Sequence, residues 1–157
     1  RHNCQSSKEN IMNKSFRGLI EDGGTDQIRL STNNGLTGYK IVKFELFPFA
    51  PGGSGTDSEH TVQIWSVEPD TVDVATRFNA PQLLAAGMMA VGASGVSNPS
   101  VLNVVFDNVT VNQDIFVCHK DSTSSAEPIN YYIELEQVKL SENEATVATL
   151  KDMRGRE

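Results

Sequence analysis

Apolar and polar positions alternate along much of the chain, the two-residue period of strands with one face toward a core and one toward water. The clearest case is residues 38–49, where Val42, Phe44 and Leu46 fall on one face and Lys43 and Glu45 on the other. Phe47 and Phe49 fall on the Lys43/Glu45 side. Two aromatics leaving a wet face read as a contact patch, continued by the loop Pro51, Gly52, Gly53, Ser54 and Gly55. The competing reading is a bend at Pro48 that tucks both rings beneath that loop. Shorter strand patterns cover residues 14–20, 25–30, 61–67, 100–111, 114–119 and 129–140. The pair Asn34-Gly35 favours a type I′ hairpin turn, and Asn112-Gln113 reads as a second hairpin bend. Residues 80–91 are ambiguous: Pro81 can open a helix, whereas Gly87 and Gly92 weaken one, and a short helix is the expectation.

One helix is well marked, and it comes last. Ser141 and Glu144 have capping-box spacing, with Leu140 and Ala145 at the staple positions. Val147, Leu150 and Met153 form a narrow apolar stripe that needs a surface to dock on. Lys151, Arg154 and Arg156 place positive charge at the negative end of the helix dipole, and Gly155 can end the helix. These elements predict a mainly β chain, an antiparallel β-sandwich of jelly-roll type, with a Greek-key barrel second. The expected parts are an extended N-terminal arm over 1–13, a sandwich over 14–140, and a short C-terminal α-helix with its tail over 141–157. The arm is too polar to order alone and is expected to order against a neighbouring subunit.

Composition narrows the function more than it defines it. The 157 residues suit one domain, and 13 Lys/Arg against 20 Asp/Glu give a net charge of −7. No basic stripe exists to neutralise a phosphate backbone, so nucleic acid is not an expected partner. The longest apolar run, 83–92, is too short for a membrane span, and the first ten residues lack the apolar region of a secretion signal.

Candidate chemistry is sparse. His2, His60 and His119 lack metal-motif spacing, and Glu59-His60 reads as a solvated pair ending a polar loop. Cys4 and Cys118 are expected as reduced thiols, Cys118 as a small core residue. Cys118 and His119 would point to opposite faces of a strand, which argues against a nucleophile–base pair. Glu134 and Glu136 share a strand face about 7 Å apart, read as a wet outer face rather than a catalytic pair. The run from Asp22 to Asp26 reads as a turn, since the ligand spacing of a calcium loop is absent. The expectation is therefore no catalytic residue, no metal and no cofactor.

Several segments together carry a resemblance: Asn13-Lys14-Ser15-Phe16-Arg17-Gly18, Asp22-Gly23-Gly24, Ile28-Arg29-Leu30-Ser31-Thr32 and Leu36-Thr37-Gly38-Tyr39-Lys40-Ile41, then Asn130-Tyr131-Tyr132-Ile133-Glu134-Leu135-Glu136 and residues 143–152. Over residues 13–154 the chain resembles short virion proteins of tailed bacteriophages, especially phages of marine bacteria. The tract before Met12 has no counterpart in that family. Within it the chain looks like a capsid cement, or decoration, protein. The resemblance implies binding to the major capsid protein or other virion proteins, a place on the capsid surface after synthesis in the host cytoplasm, and a homo-oligomer, with a trimer favoured. Alternatives are a neck, tail or fibre-attachment protein, or a carbohydrate-binding module using Trp65, Tyr131 or Tyr132.

Overall fold

The computed structural model describes residues 12–51, 55, 57–92, 100–106 and 109–153. Eight strands precede one helix: β1 (Asn13–Ile20), β2 (Thr25–Ile28), β3 (Thr37–Pro48), β4 (Ser58–Trp65), β5 (Leu83–Val91), β6 (Ser100–Val105), β7 (Ile115–Asp121), β8 (Ile129–Lys139) and α1 (Glu142–Met153). They form two antiparallel sheets, β1-β8-β3 and β2-β7-β4-β5-β6. The expected β-sandwich with a C-terminal helix is what the chain builds; the arm lies almost wholly outside the described residues.

The pairing follows a long hairpin folded on itself. β4 pairs with β5, β2 with β7 and β1 with β8, each pair nested outside the last. That nesting generates a jelly-roll order. The remaining nested pair would be β3 with β6, but β6 bonds to β5 and reaches β3 through a side chain, Asn103 Nδ2 donating to the Phe44 carbonyl at 3.1 Å.

Strand alternation places the core. Ile129, Ile133 and Leu135 of β8 and Phe44 and Leu46 of β3 face Val62 and Ile64 of β4 and Ile115 and Val117 of β7. A bulge between Ile41 and Lys43 inserts an extra residue in β3, so Val42 turns outward instead of sharing the face of Phe44 and Leu46 as expected.

The expected helix over 80–91 is instead β5. This strand lies between two others, and Leu83, Leu84, Ala85 and Ala86 are buried in succession, so it lacks the alternation of a half-exposed strand. Gly87, which weakened the helix, marks a close approach. A Cβ there would lie 2.5 Å from Asn103 Oδ1 and 2.9 Å from Phe44 Cε1.

Neither expected hairpin bend forms a hairpin. β2 and β3 lie in different sheets, and the turn between them bonds Gly35 N to the Thr32 carbonyl. Gly35 alone of the Asn-Gly pair has positive φ, while the Asn34 side chain accepts from Leu36 N in an Asx turn. β6 ends at Val105, short of the expected 111, and is not a neighbour of β7. Val111 instead makes a lone bridge to Tyr39.

Residues 66–82 lie over the outer side of the five-stranded sheet. Gln63, on an outward position of β4, is buried beneath them and donates to Thr76 Oγ1 at 2.9 Å and the Ala75 carbonyl at 3.2 Å. At the other end, Ser141 Oγ caps α1 by accepting from Glu144 N at 3.3 Å. Leu140 and Ala145 are buried as the staple predicts. The fully buried Asn112 aims its Nδ2 at the Gly35 carbonyl (3.1 Å), the Ala145 carbonyl (3.2 Å) and Thr149 Oγ1 (2.8 Å), tying the helix to the sandwich.

Candidate interaction surface

Among the described residues, the outer face of the three-stranded sheet has no such cover. Register places its side chains in rows: Leu19–Asn130–Phe47, Arg17–Tyr132–Glu45 and Ser15–Glu134–Lys43. Phe47 is 65% exposed, and Leu19 and Phe49 are also exposed. The rings are therefore not tucked beneath the loop, and the face carries an apolar end. Pro51 is exposed beyond it, and Gly55 takes a positive φ of 69°. Gly52, Gly53 and Ser54 of the expected patch lie outside the described residues.

Between the apolar and charged rows runs an open cleft of about 540 Å³, lined among others by Arg17, Glu45, Phe47, Asn130 and Tyr132. Glu45 is paired locally, and the charged row beside the cleft is partly matched. Lys43 Nζ lies 3.6 Å from Glu45 Oε1 and 5.9 Å from the Tyr132 ring centroid, and Asn13 Nδ2 donates to Glu134 Oε1 at 3.2 Å. Glu134 and Glu136 line this half-exposed side of β8, opposite the apolar face, as the alternation predicts.

Beneath the cleft the sheet is braced to its partner. Tyr131 points inward, and its hydroxyl donates to Asp26 Oδ2 on β2 at 2.9 Å. Burial, with Asp26 beside it, pushes the phenol above its ordinary value. Gly18 makes room for the ring, since a Cβ there would fall 2.9 Å from Tyr131 Cε1 and from its hydroxyl. The three aromatics of the carbohydrate reading therefore share no platform. Tyr131 is internal, Tyr132 lines the cleft, and Trp65 is half-buried on β4 with its Nε1 donating to Gln63 Oε1 at 3.0 Å.

The histidines correct a second expectation. His60 is not solvated: it lies on the inward side of β4 with Val62 and Ile64 and is 1% exposed. His119, on β7, is completely buried. His60 Nδ1 lies 2.9 Å from His119 Nε2, His60 Nε2 lies 3.0 Å from Ser58 Oγ, and His119 Nδ1 lies 3.1 Å from the Glu21 carbonyl. A carbonyl can only accept, so His119 carries its proton on Nδ1 and accepts at Nε2. His60 then donates from Nδ1 and accepts the Ser58 hydroxyl proton at Nε2. Burial lowers both imidazole pKa values, and each ring stays neutral.

Carboxylates frame this pair. Burial alone would raise Asp22, but the Asp121 N–H and the Lys120 ammonium outweigh it and hold the carboxyl low. Asp121 is held low in the same way by Thr123, Ser125 and the Glu127 N–H, against its own burial. The sequence signal for His60 was parity: it occupies the same strand face as two core residues. Cys118 points away from this cluster, accepts from Thr25 Oγ1 at 3.5 Å, and has its thiol pKa pushed up by burial. The two imidazoles are sealed from solvent, and the bond from His119 to the Glu21 carbonyl fixes the β1–β2 turn against β7.

Val147 and Leu150 of the helix stripe are exposed, so that stripe docks on nothing within the described chain. The Met153 side chain and His2 lie outside the described residues. Among the described residues no group of three or more His, Cys, Asp or Glu is placed to hold a metal ion, and no helix is long and apolar enough to cross a membrane. No family model and no curated protein matches this chain.

Proposed function

We propose that this chain is a non-enzymatic virion structural protein, a capsid cement protein whose three-stranded sheet docks on the major capsid protein lattice. The observation that carries the docking surface is the exposure of Phe47 on a hydrogen-bonded strand, with Leu19 and Phe49 beside it. A ring held on a sheet loses little freedom on binding, and burying one contributes about 2–3 kcal/mol. Contacts of that size are weak singly. A homo-oligomer repeating them on a regular shell gains by avidity, which suits a small protein that binds many equivalent lattice points. The virion context rests on the sequence resemblance, and the open, shallow form of the cleft favours a protein surface over a small substrate.

The test is co-sedimentation of purified protein with shells assembled from the virion's major capsid protein. Wild-type protein should pellet with the shells, and the double variant Phe47→Asp/Phe49→Asp should not, while both retain the same circular dichroism spectrum. Wild-type protein that stays in the supernatant, with density for the chain found at the neck or tail of whole particles, would defeat the cement reading.

A further inference from the structure

We propose that β6 is a self-pairing edge through which two copies of this chain join their five-stranded sheets across a two-fold axis. The inference stands apart from the cleft and from the identity of any shell.

β6 is the end strand of its sheet, and among the described residues only β5 pairs with it. It is also poorly covered on both faces. Leu102 is 67% exposed, and Val101, Val104 and Val105 are exposed as well. The cause is architectural. A three-stranded sheet is about two strand spacings, roughly 10 Å, narrower than a five-stranded one, so an end strand overhangs the core. Exposed edges in natural proteins usually carry charge or proline, which discourages pairing with other chains. Residues 100–106, Ser-Val-Leu-Asn-Val-Val-Phe, carry neither, in a chain with a net charge of −7.

The sequence of the strand selects the occupant. Phe106 N donates to the Leu84 carbonyl, and the β5–β6 register runs without a shift from Ala85↔Val105 to Ala90↔Ser100. By the alternation of an antiparallel ladder, the even-numbered residues bond to β5, and Val101, Asn103 and Val105 turn their N–H and C=O groups to the free edge. A two-fold axis at Asn103 then pairs Asn103 with Asn103 of the second copy, Val101 with Val105, and Leu102 with Val104. Over residues 101–105 every apolar residue meets an apolar one, and Asn103, whose Nδ2 reaches inward to the Phe44 carbonyl, lies opposite itself, the match a two-fold demands. The strand carries no charge, so two copies of an acidic chain meet there without like-charge repulsion. Phe78, 61% exposed and edge-on to Phe106 at 4.7 Å between centroids, extends the apolar surface near the end of the strand. A three-fold ring would need an interface separate from both this edge and the Phe47 face.

The test uses the full chain. Sedimentation equilibrium at micromolar concentration should give a two-fold assembly or a multiple of it, and Leu102→Lys/Val104→Lys should halve the mass while keeping the β-rich circular dichroism spectrum. Register is read by cross-linking in a Cys4→Ser background. Leu102→Cys and Val104→Cys proteins, each prepared separately, should form an intermolecular disulfide when mixed and oxidised, and neither should form one alone. The cysteine variants change little volume, so they report even if the lysine variant unfolds. A monomeric wild type, a lysine variant of unchanged mass, or cross-linking of Leu102→Cys to itself would each overturn the proposal.

Discussion

His60 Nδ1 and His119 Nε2 meet at 2.9 Å in the interior, and the Glu21 carbonyl at the far end of the chain of bonds sets the direction of every proton between them. One extra proton can be taken up at His119 Nε2 if His60 turns to its other tautomer and donates to Ser58 Oγ. A second proton has no acceptor in the chain of bonds, because Ser58 and Glu21 already receive one each.

Acid should therefore destabilise the fold in a window set by histidine. Both folded-state pKa values lie below the ordinary 6.5, so the unfolded chain binds more protons. This contribution to stability is complete above pH 6.5 and is lost as pH falls from there through the lowered values, at up to about 1.4 kcal/mol per pH unit for each proton. Asp22 and Asp121 stay ionised across this window, since both are held below the usual carboxylate range. Thermal melts from pH 7.5 to 5 should show a falling Tm, and His60→Gln should flatten that slope. A Tm unchanged across the range would show that the imidazoles are not buried neutral.

Asn112 should matter more than its place in a connecting segment suggests. It is fully buried, and its Nδ2 serves acceptors on both the Gly35 turn and α1. Asn112→Ala removes the donor to the Gly35 carbonyl and to Thr149 Oγ1, while the Ala145 carbonyl keeps its bond from Thr149 Oγ1, and should cost roughly 1–3 kcal/mol. Amide exchange should speed up selectively in α1 before global unfolding. Equal protection of the helix in wild type and variant would show that Leu140 and Ala145 alone hold it.

Gly18→Ala should loosen the brace between the sheets. The added methyl would sit 2.9 Å from the Tyr131 ring, which must move away from Asp26 Oδ2. A loss of about 1–3 kcal/mol is expected from overpacking, measured by urea unfolding. The variant Tyr131→Phe, which removes only the hydroxyl, should lose about 1 kcal/mol. If Gly18→Ala is neutral, the ring has somewhere else to go.

The strands with one wet face were legible because alternation survives there. β8 is the clearest: Ile129, Tyr131, Ile133 and Leu135 are buried while Asn130, Tyr132 and Glu134 are not. The exposure of Phe47 and Phe49 followed from the same period, and the helix start from the Ser141–Glu144 spacing. β5 was misread because burial on both sides removes the alternation that separates strand from helix. His60 was misread from its polar neighbour Glu59, when its own parity with Val62 pointed inward. The Asn34-Gly35 turn failed for a different reason. Local turn chemistry fixes a reversal of the chain but not whether the next strand returns to the same sheet.

Shell binding by the Phe47→Asp/Phe49→Asp variant bears most directly on the proposed function. Both side chains are exposed, so the substitutions should leave the melting temperature within a few degrees of wild type. At a docked interface they would force two carboxylates out of water without partners. Co-sedimentation with major capsid protein shells should then fall at least tenfold relative to wild type, with the fold intact by circular dichroism. Undiminished binding by a folded double variant would contradict docking through this face.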